Sequence, residues 1–427
     1  MRDYSGPLCH DFSWEQLEHK LMARFAREIM LFNQVHDRSI MPLVAGRWGA
    51  SAMTELAIDE WMGSSPVYNA RNRALQRIGG DGVDVIFKGF QLDIGAPHMW
   101  LNFHYDLQSH DLGYFWLTSC GAYNGVRALT GGDPAAETQI CVHMEDPTFD
   151  ATVMAVNRGA RCRAVYRPPH GGDIPAAGPC RWEVTIADRI GLVQENALTD
   201  VVRQSRAGQF SLGERNPSGD GLEDYSGPFK RDFRLEDLST AALYDQLREF
   251  ALDVHLLQRA AYQSLAQHHG EECIPDLLAE HCATMAPVYQ RRLRRLFGIQ
   301  GNDMTAILKL LQLDHHFVPG YVRTGVELID SGQGRFWIED CPAIEDGATS
   351  GVLTALWRGE TTGLQQIVQS IHPEAVITRA ADKAAFCYDI RIDKEVEPPP
   401  LSPMSEMVGS NGLLGLDLSE HRYHYSD

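Results

Sequence analysis

The stretch GYFWLTSC at residues 113–120 has the pattern of a short, buried β-strand that ends in a cysteine, Cys120. A second stretch, GRFWIEDC, occupies residues 334–341 and ends in Cys341. The shared pattern Phe-Trp-x-x-x-Cys therefore recurs at a separation of 221 residues. The same separation relates a much longer part of the chain, and the cysteine at each strand end is the clearest sequence indication of chemistry.

The chain contains two copies of one pattern. Asp-Tyr-Ser-Gly-Pro at residues 3–7 recurs at 224–228, and Gln-Leu-Asp at 91–93 recurs at 312–314. Single residues match at the same separation, namely Arg27-Glu28 with Arg248-Glu249, and Tyr68, Arg71 and Leu75 with Tyr289, Arg292 and Leu296. One separation kept without a gap over about 120 residues predicts a tandem duplication.

Each copy is predicted to be an α+β unit, in which a helical layer is followed by a small antiparallel sheet. Apolar residues at helical spacing between Trp14 and Phe32 predict a long helix that breaks near Pro42. A second helical zone is predicted to be interrupted by Gly-Ser-Ser-Pro at residues 63–66. We predict a pseudo-dimer built from repeat 1 at residues 1–186, a linker at 187–223, repeat 2 at 224–394 and an extended tail at 395–427.

Composition limits the classes of partner. The formal net charge of −19 disfavours nucleic acid and anionic membranes as partners. The N-terminus lacks the apolar segment of a signal peptide, and no run approaches the ~20 apolar residues of a transmembrane helix. Nine cysteines at irregular spacing favour a reducing, cytoplasmic location over a disulfide framework. Whether the pseudo-dimer assembles further stays open.

Cys120 has two interpretations. It is predicted to lie where a strand turns into a helix, and a helix N-terminus lowers the pKa of a thiol. Such a cysteine would serve as a nucleophile or a metal ligand. The alternative is a buried, inert cysteine, because free cysteine also packs as a small hydrophobe. The recurrence of the residue as Cys341 keeps both interpretations open.

A second group of candidate residues follows the strand. Cys141, His143 and Glu145 alternate, so on an extended segment they would share one face. Together with Cys120 and Cys180 they would form a mixed cluster suited to zinc or iron. The alternatives are a cysteine nucleophile with Glu145 or His143 as acid/base, and a purely structural role. In repeat 2, Cys387 is matched to Cys180.

Aromatic residues supply a candidate pocket. Phe115 and Trp116 on the strand, with Trp182 further on, are expected in the core and are also suited to line a site for an aromatic ligand. Glu28 lies in the middle of the first helix, where it is either part of a solvated charge pair or a carboxylate projecting into an interior pocket.

Several motifs of repeat 1 together resemble a known bacterial family. They are Cys141-x-x-x-Glu145-x-x-x-Phe149, Pro168-Pro169 and Cys180-x-Trp182-Glu183, joined in repeat 2 by GNDM at 301–304 and CPAIE at 341–345. The pattern is similar to that of L-2-amino-thiazoline-4-carboxylic acid hydrolase-like proteins. This resemblance implies ring-opening hydrolysis of a small heterocycle. A remoter similarity to four-vinyl-reductase ligand-binding domains implies an α+β module for small hydrophobic molecules, sometimes with a metal at cysteines.

The chain departs from the family pattern in both copies. Repeat 1 has Cys120-Gly121 where the family has Cys-Pro, and it lacks the glutamate that follows. Repeat 2 keeps Cys-Pro-x-x-Glu at 341–345 but lacks the second cysteine and the Trp-Glu pair. Repeat 1 keeps more of the polar cluster, so we expect it to be the active half.

These observations predict an enzyme that acts on a small aromatic or heterocyclic molecule by hydrolysis or a related lyase step. Cys120, Glu145 and His143 are the predicted catalytic residues. The predicted ligands for a zinc or iron ion are Cys120, Cys141 and Cys180, and the predicted pocket residues are Phe115, Trp116, Glu28 and Trp182. The alternative is a non-catalytic module for small hydrophobic ligands, in which the cysteines are structural.

Overall fold

The computed structural model describes residues 3–171, 173–187, 194–345, 351–380 and 386–396. Two groups of helices each accompany a separate four-stranded antiparallel sheet, which confirms the predicted α+β class. The predicted extended tail lies outside the described residues from residue 397 onward. None of the described helices combines the length and the apolarity needed to cross a membrane.

The described residues of repeat 1 form six α-helices and four strands. A 3₁₀-helix at Trp14–Gln16 precedes them, and a π-helix at Gln139–Met144 runs directly into α6. The elements are α1 (His19–Trp48), α2 (Ala50–Leu75), α3 (Val83–Gln91), β1 (Leu101–Leu107), β2 (Leu112–Cys120), α4 (Gly121–Thr130), α5 (Pro134–Thr138), α6 (Glu145–Met154), β3 (Ala160–Tyr166) and β4 (Cys180–Ile186).

The predicted linker contains structure of its own. It forms α7 (Ala197–Gln204) and α8 (Arg206–Gln209), and both helices pack against the long helix that opens repeat 2. Repeat 2 then follows with α9 (Thr240–His269), α10 (Ile274–Leu296), α11 (Met304–Gln312), β5 (Thr324–Leu328), β6 (Gln333–Ile338), α12 (Val352–Trp357), α13 (Thr362–Ile371), β7 (Ala375–Arg379) and β8 (Phe386–Ile392).

The two sheets have the same strand order, β1-β2-β4-β3 and β5-β6-β8-β7. Their registers show which residues are true counterparts. Cys180 pairs with Leu117, whereas Cys387 pairs with Trp337, the counterpart of Trp116. The sequence match of Cys180 to Cys387 is therefore wrong by one residue. Because side chains alternate along a strand, the two cysteines lie on opposite faces of their sheets.

The repeated opening segments are exchanged between the two halves. Tyr4 donates its hydroxyl to the side-chain oxygen of Gln312 at 2.5 Å, and Tyr225 donates to that of Gln91 at 2.9 Å. A lysine three residues before each glutamine also donates to the tyrosine carbonyl, Lys309 to Tyr4 at 3.0 Å and Lys88 to Tyr225 at 3.3 Å. The first residues of each repeat therefore bind to side chains of the other repeat.

Ion pairs between the halves use the other repeated residues. Glu28 on α1 accepts a hydrogen bond from Arg292 on α10 at 2.9 Å, and Glu249 on α9 accepts from Arg71 on α2 at 2.9 Å. Both arginines use two nitrogen atoms, so the pairs are bidentate. Glu28 is therefore held at the interface between the repeats, where it neutralises Arg292, and it does not project into a pocket.

The predicted helix breaks at two prolines do not occur. Pro66 leaves the carbonyl of Met62 without its helical donor, but the hydroxyl of Thr199 on α7 donates to that oxygen at 3.1 Å. The small residues before Pro66 allow close packing, since a β-carbon on Gly63 would lie 2.9 Å from that of Leu198. α1 likewise continues through Pro42 to Trp48. At Pro66 a tertiary contact therefore offsets the local preference of proline.

We predict that Arg292→Met lowers the free energy of unfolding by about 3 kcal/mol, because Glu28 would stay buried without its counter-charge. Arg291→Met is the matched control, since Arg291 is exposed at the preceding position of α10 and should change stability by less than about 0.5 kcal/mol. Urea denaturation followed by circular dichroism measures both. Equal losses in the two variants would contradict a stabilising role for the buried pair.

Candidate functional site

Repeat 1 encloses a cavity of about 310 Å³ between its helices and the inner face of its sheet. The walls come from α1, α2, α3, α4, α6, the π-helix and strands β1, β2 and β4. Most of the lining is apolar, with aromatic side chains from Trp61, Phe90, Phe103, Phe149 and Trp182. This size and lining are typical of sites for small organic molecules.

The predicted pocket residues are divided between this cavity and other places. Trp182 lines the cavity. Phe115 stands directly behind the wall, with its ring 5.2 Å from Phe90 and 6.2 Å from Trp182. Trp116 is the next residue of β2 and therefore faces the other side of the sheet. Glu28 belongs to the interface between the repeats, as described above.

Cys120 lies where the sequence places it, at the junction of β2 and α4. It caps α4, and its sulfur accepts a hydrogen bond from the backbone N–H of Tyr123 at 3.3 Å. The side chain is buried and lines the cavity. Burial and the nearby Glu145 raise the pKa of the thiol to about 12, so they outweigh the helix terminus. Of the two interpretations of Cys120, this environment favours the buried, inert thiol.

Cys141, His143 and Glu145 do not share one face of an extended segment. The chain forms the π-helix Gln139–Met144 here, followed by α6, which begins at Glu145. Helical geometry turns Cys141 inward and leaves His143 exposed. His143 is not among the residues that line the cavity, whereas Glu145 lines it directly.

Glu145 has an unusual electrostatic environment. Burial raises the pKa of its carboxyl to about 8, and the attraction of Arg167 offsets only part of that rise. Arg167 is itself engaged with Asp146, whose carboxylate accepts a hydrogen bond at 2.9 Å. Glu145 lines the cavity with a carboxyl that is therefore largely protonated at neutral pH.

The three predicted cysteine ligands lie in this region without forming a metal centre. Burial raises the pKa of Cys141 and Cys180 as well as that of Cys120, which keeps all three as thiols. Thiolates around one zinc ion would be roughly 3.8 Å apart. Among the described residues, the sets of three or more potential ligands whose atoms lie within 4.8 Å of one another contain no cysteine. The cysteines do not fit a zinc or iron ion.

Arg38 is a candidate that the sequence reasoning missed. It lies on α1 over the ring of Trp100, with its guanidinium carbon 4.7 Å from the ring centroid. Among the described residues that line the cavity, Arg38 is the only cation. Its counterpart 221 residues later is Arg259, so the duplication itself carried a signal that could have identified it.

The helical core beside the cavity holds a buried polar group that was also missed. His36 and Asp37 on α1 and Glu60 on α2 place their ligand atoms within 4.8 Å of one another. Burial lowers the pKa of His36 to about 4 and raises that of Glu60 to about 8. Asp37 also lines the cavity, so this group borders the candidate site. A second set, Asp314-His315-His316, comes from repeat 2.

The equivalent space in repeat 2 is nearly closed. It measures about 10 Å³ and is lined by His255, Arg259 and Ala343, the counterparts of Gln34, Arg38 and Ala122. Tyr321 also lines it, and Phe210 from the segment after α8 packs on that ring with centroids 5.2 Å apart. A volume near that of one water leaves no room for an organic ligand. Among the described residues, a cavity of ligand size thus lies in repeat 1 and not at the matching place in repeat 2.

No protein-family model, curated protein or solved structure matches this chain. The resemblance to hydrolase-like bacterial proteins therefore stays a prediction. What the cavity does has to be argued from its own residues.

Proposed function

We propose that the protein is an enzyme that binds a small aromatic or heterocyclic molecule bearing an anionic group, and acts on it by hydrolysis or a related lyase step. One observation carries this proposal. The repeat 1 cavity combines a ligand-sized apolar interior with one cation, Arg38, and with the carboxyl of Glu145, which burial keeps largely protonated at neutral pH; the carboxyls of Asp37 and Asp93 also line it.

The walls favour a planar, largely apolar ligand. Aromatic rings such as Trp61, Phe149 and Trp182 offer faces and edges against which a heterocycle can pack. Arg38 supplies a planar guanidinium, the group best suited to bind a carboxylate through two hydrogen bonds. In an apolar cavity such a contact is stronger than in water, because the dielectric constant is low.

Glu145 is the residue best placed for acid catalysis. A carboxyl with a pKa of about 8 in a cleft is typical of a functional group tuned by burial. It would donate its proton to a heteroatom of the ligand as a bond to that atom breaks. Cys120 lies on the same wall as a neutral thiol, so its environment does not activate it as a nucleophile.

A second candidate function is binding without turnover. The observation that favours it is the state of the cysteines, since burial keeps Cys120, Cys141 and Cys180 as unreactive thiols. In that case the cavity would hold a hydrophobic ligand and Glu145 would be a hydrogen-bond donor to it. Product formation from a bound ligand separates the two functions.

Blocking the cavity tests ligand binding directly. Gly125 on α4 lines the cavity, and a β-carbon added there would meet no atom within 4 Å. We predict that Gly125→Phe abolishes the binding of aromatic carboxylates such as benzoate, nicotinate and thiazole-4-carboxylate. Gly125→Ala is the matched control and should bind normally while stabilising α4 by up to about 1 kcal/mol. Isothermal titration calorimetry measures the binding, and equal affinities in both variants would contradict this location.

The role of Arg38 is tested with the same compounds. We predict that Arg38→Met weakens the binding of each carboxylate by about tenfold or more, whereas it leaves the binding of the matching uncharged amides unchanged. Arg38→Lys keeps the charge and should lose less affinity. A loss of the same size for acids and amides would show that the substitution damages the cavity rather than the anion contact.

The pKa of Glu145 predicts a pH dependence of stability. Because the folded pKa of about 8 lies above the value in the unfolded chain, the folded state keeps a proton that the unfolded state loses above about pH 4.5. Stability from this group therefore falls as pH rises from about 5 to 8. Glu145→Gln removes that dependence, so the melting temperature of the wild type should drop relative to the variant across this window. A constant difference would contradict the raised pKa.

Alkylation tests the state of Cys120. We predict that iodoacetamide at pH 7 leaves Cys120 unmodified in the native protein and modifies it fully in guanidinium chloride, because the buried thiol is almost wholly protonated. Mass spectrometry of the tryptic peptides measures the modification. Rapid labelling of the native protein would restore the nucleophile interpretation.

A further inference from the structure

The buried group formed by His36, Asp37 and Glu60 extends to a residue of repeat 2. His281 on α10 places its ring 4.7 Å from that of His36, measured between centroids. His36 and Glu60 are fully buried, His281 is 1% exposed and Asp37 8% exposed. Four groups able to bind a cation thus converge from α1, α2 and α10 in the interior of the helical layer.

The His36 side chain lacks the hydrogen bonds that buried polar groups require. The carboxyl groups of Asp37 and Glu60 contact each other, but both ring nitrogens of the fully buried His36 have no hydrogen-bond partner. Leaving such a group unpaired costs about 1 to 3 kcal/mol. The unpaired nitrogens therefore indicate that something else binds this side chain.

The distance between the side chains of His36 and Glu60 suits two ligands of one ion better than a hydrogen bond. Nε2 of His36 lies 3.5 Å from Oε2 of Glu60, beyond the ~2.7–3.2 Å of a good N–H···O bond. Two ligand atoms bound to one tetrahedral ion at ~2.0–2.1 Å are roughly 3.4 Å apart. The separation found here is close to that value.

The histidines of repeat 2 are oriented as metal ligands usually are. A ligating histidine normally has its other ring nitrogen fixed by a hydrogen bond. In His281, Nδ1 is 2.7 Å from the hydroxyl of Tyr262, which fixes the ring next to that of His36. In His316, Nδ1 is 2.7 Å from the carboxylate of Asp314, and Nε2 is unpaired. The hydrogen-bonded nitrogens fix the orientation of the two rings.

The counterpart positions in repeat 2 do not form a second copy of this polar group. Glu60 and His281 are counterparts, so α2 and α10 bring equivalent positions together from the two repeats. The counterparts of His36 and Asp37 are Leu257 and Gln258, which cannot supply an imidazole and a carboxylate. The polar group therefore exists once, on the side of α1 that also borders the cavity through Asp37.

We infer that His36, Asp37 and Glu60 bind a divalent first-row transition-metal ion, with the neighbouring His281 as a further ligand. Imidazole and carboxylate groups are a ligand set suited to zinc, ferrous iron or manganese. The ion would satisfy an unpaired nitrogen of His36 and would balance the two carboxylates. This inference does not rest on the proposed enzymatic function, because the group is complete without any organic ligand.

Metal analysis of protein purified without a polyhistidine tag tests the inference. We expect about one equivalent of ion per chain in the wild type and a loss of about tenfold or more in His36→Leu and Glu60→Gln. His36→Leu installs the repeat 2 counterpart, and Glu60→Gln keeps the side-chain shape in case the first variant fails to fold. Cys120→Ala and Cys141→Ala are the controls and should retain the ion.

A thermal assay with zinc ion alone gives a second readout that needs no substrate. Protein stripped with a chelator should gain melting temperature when zinc is added, and Glu60→Gln should not. Two results would overturn the inference. One is a wild type that binds no ion and gains no melting temperature with zinc. The other is an ion that Glu60→Gln retains and the cysteine variants lose.

Discussion

The two buried arginine–glutamate pairs between the repeats hold the rest of the architecture in place. Arg71 with Glu249 and Arg292 with Glu28 join α1, α2, α9 and α10 into one helical layer. Removing such charges from water is costly, so each pair constrains the register between helices tightly. The opening segments at residues 3–7 and 224–228, each bound to the opposite repeat, stabilise the same arrangement. The sheet and cavity of repeat 1 are positioned by a framework to which both halves contribute.

The duplication explains why the fold could be predicted from the sequence. Residues such as Tyr4, Arg71 and Gln91 recur because both copies must build the same interface, and that requirement leaves a constant separation in the chain. The strand ending in Cys120 could also be predicted, because the alternation of buried and exposed residues and the start of α4 are local properties of the sequence. The domain boundary was less clear, since α7 in the predicted linker packs against both α2 of repeat 1 and α9 of repeat 2.

The candidate site was harder to predict because its parts meet only in three dimensions. Arg38, Glu145 and Trp182 lie on three different elements, and nothing in their spacing relates them. The extended segment expected around Cys141 was wrong because alternation over three residues cannot distinguish a strand from a π-helix turn. His36 and Glu60 lie 24 residues apart on different helices, and His281 follows 221 residues after Glu60, so the counterpart relation of Glu60 to His281 was the one sequence signal that relates them.

Asp37 belongs to two structures at once, since one side of its carboxyl faces the cavity and the other faces His36 and Glu60. A ligand in the cavity that changes the charge or position of the Asp37 side chain would also change the surroundings of an ion at His36 and Glu60, and the reverse holds as well. Occupants of the two places would thus be thermodynamically linked, and each would change the affinity of the other by the same factor. Through the side chain of Asp37, an ion bound inside the helical layer and a ligand bound in the repeat 1 cavity would bind cooperatively.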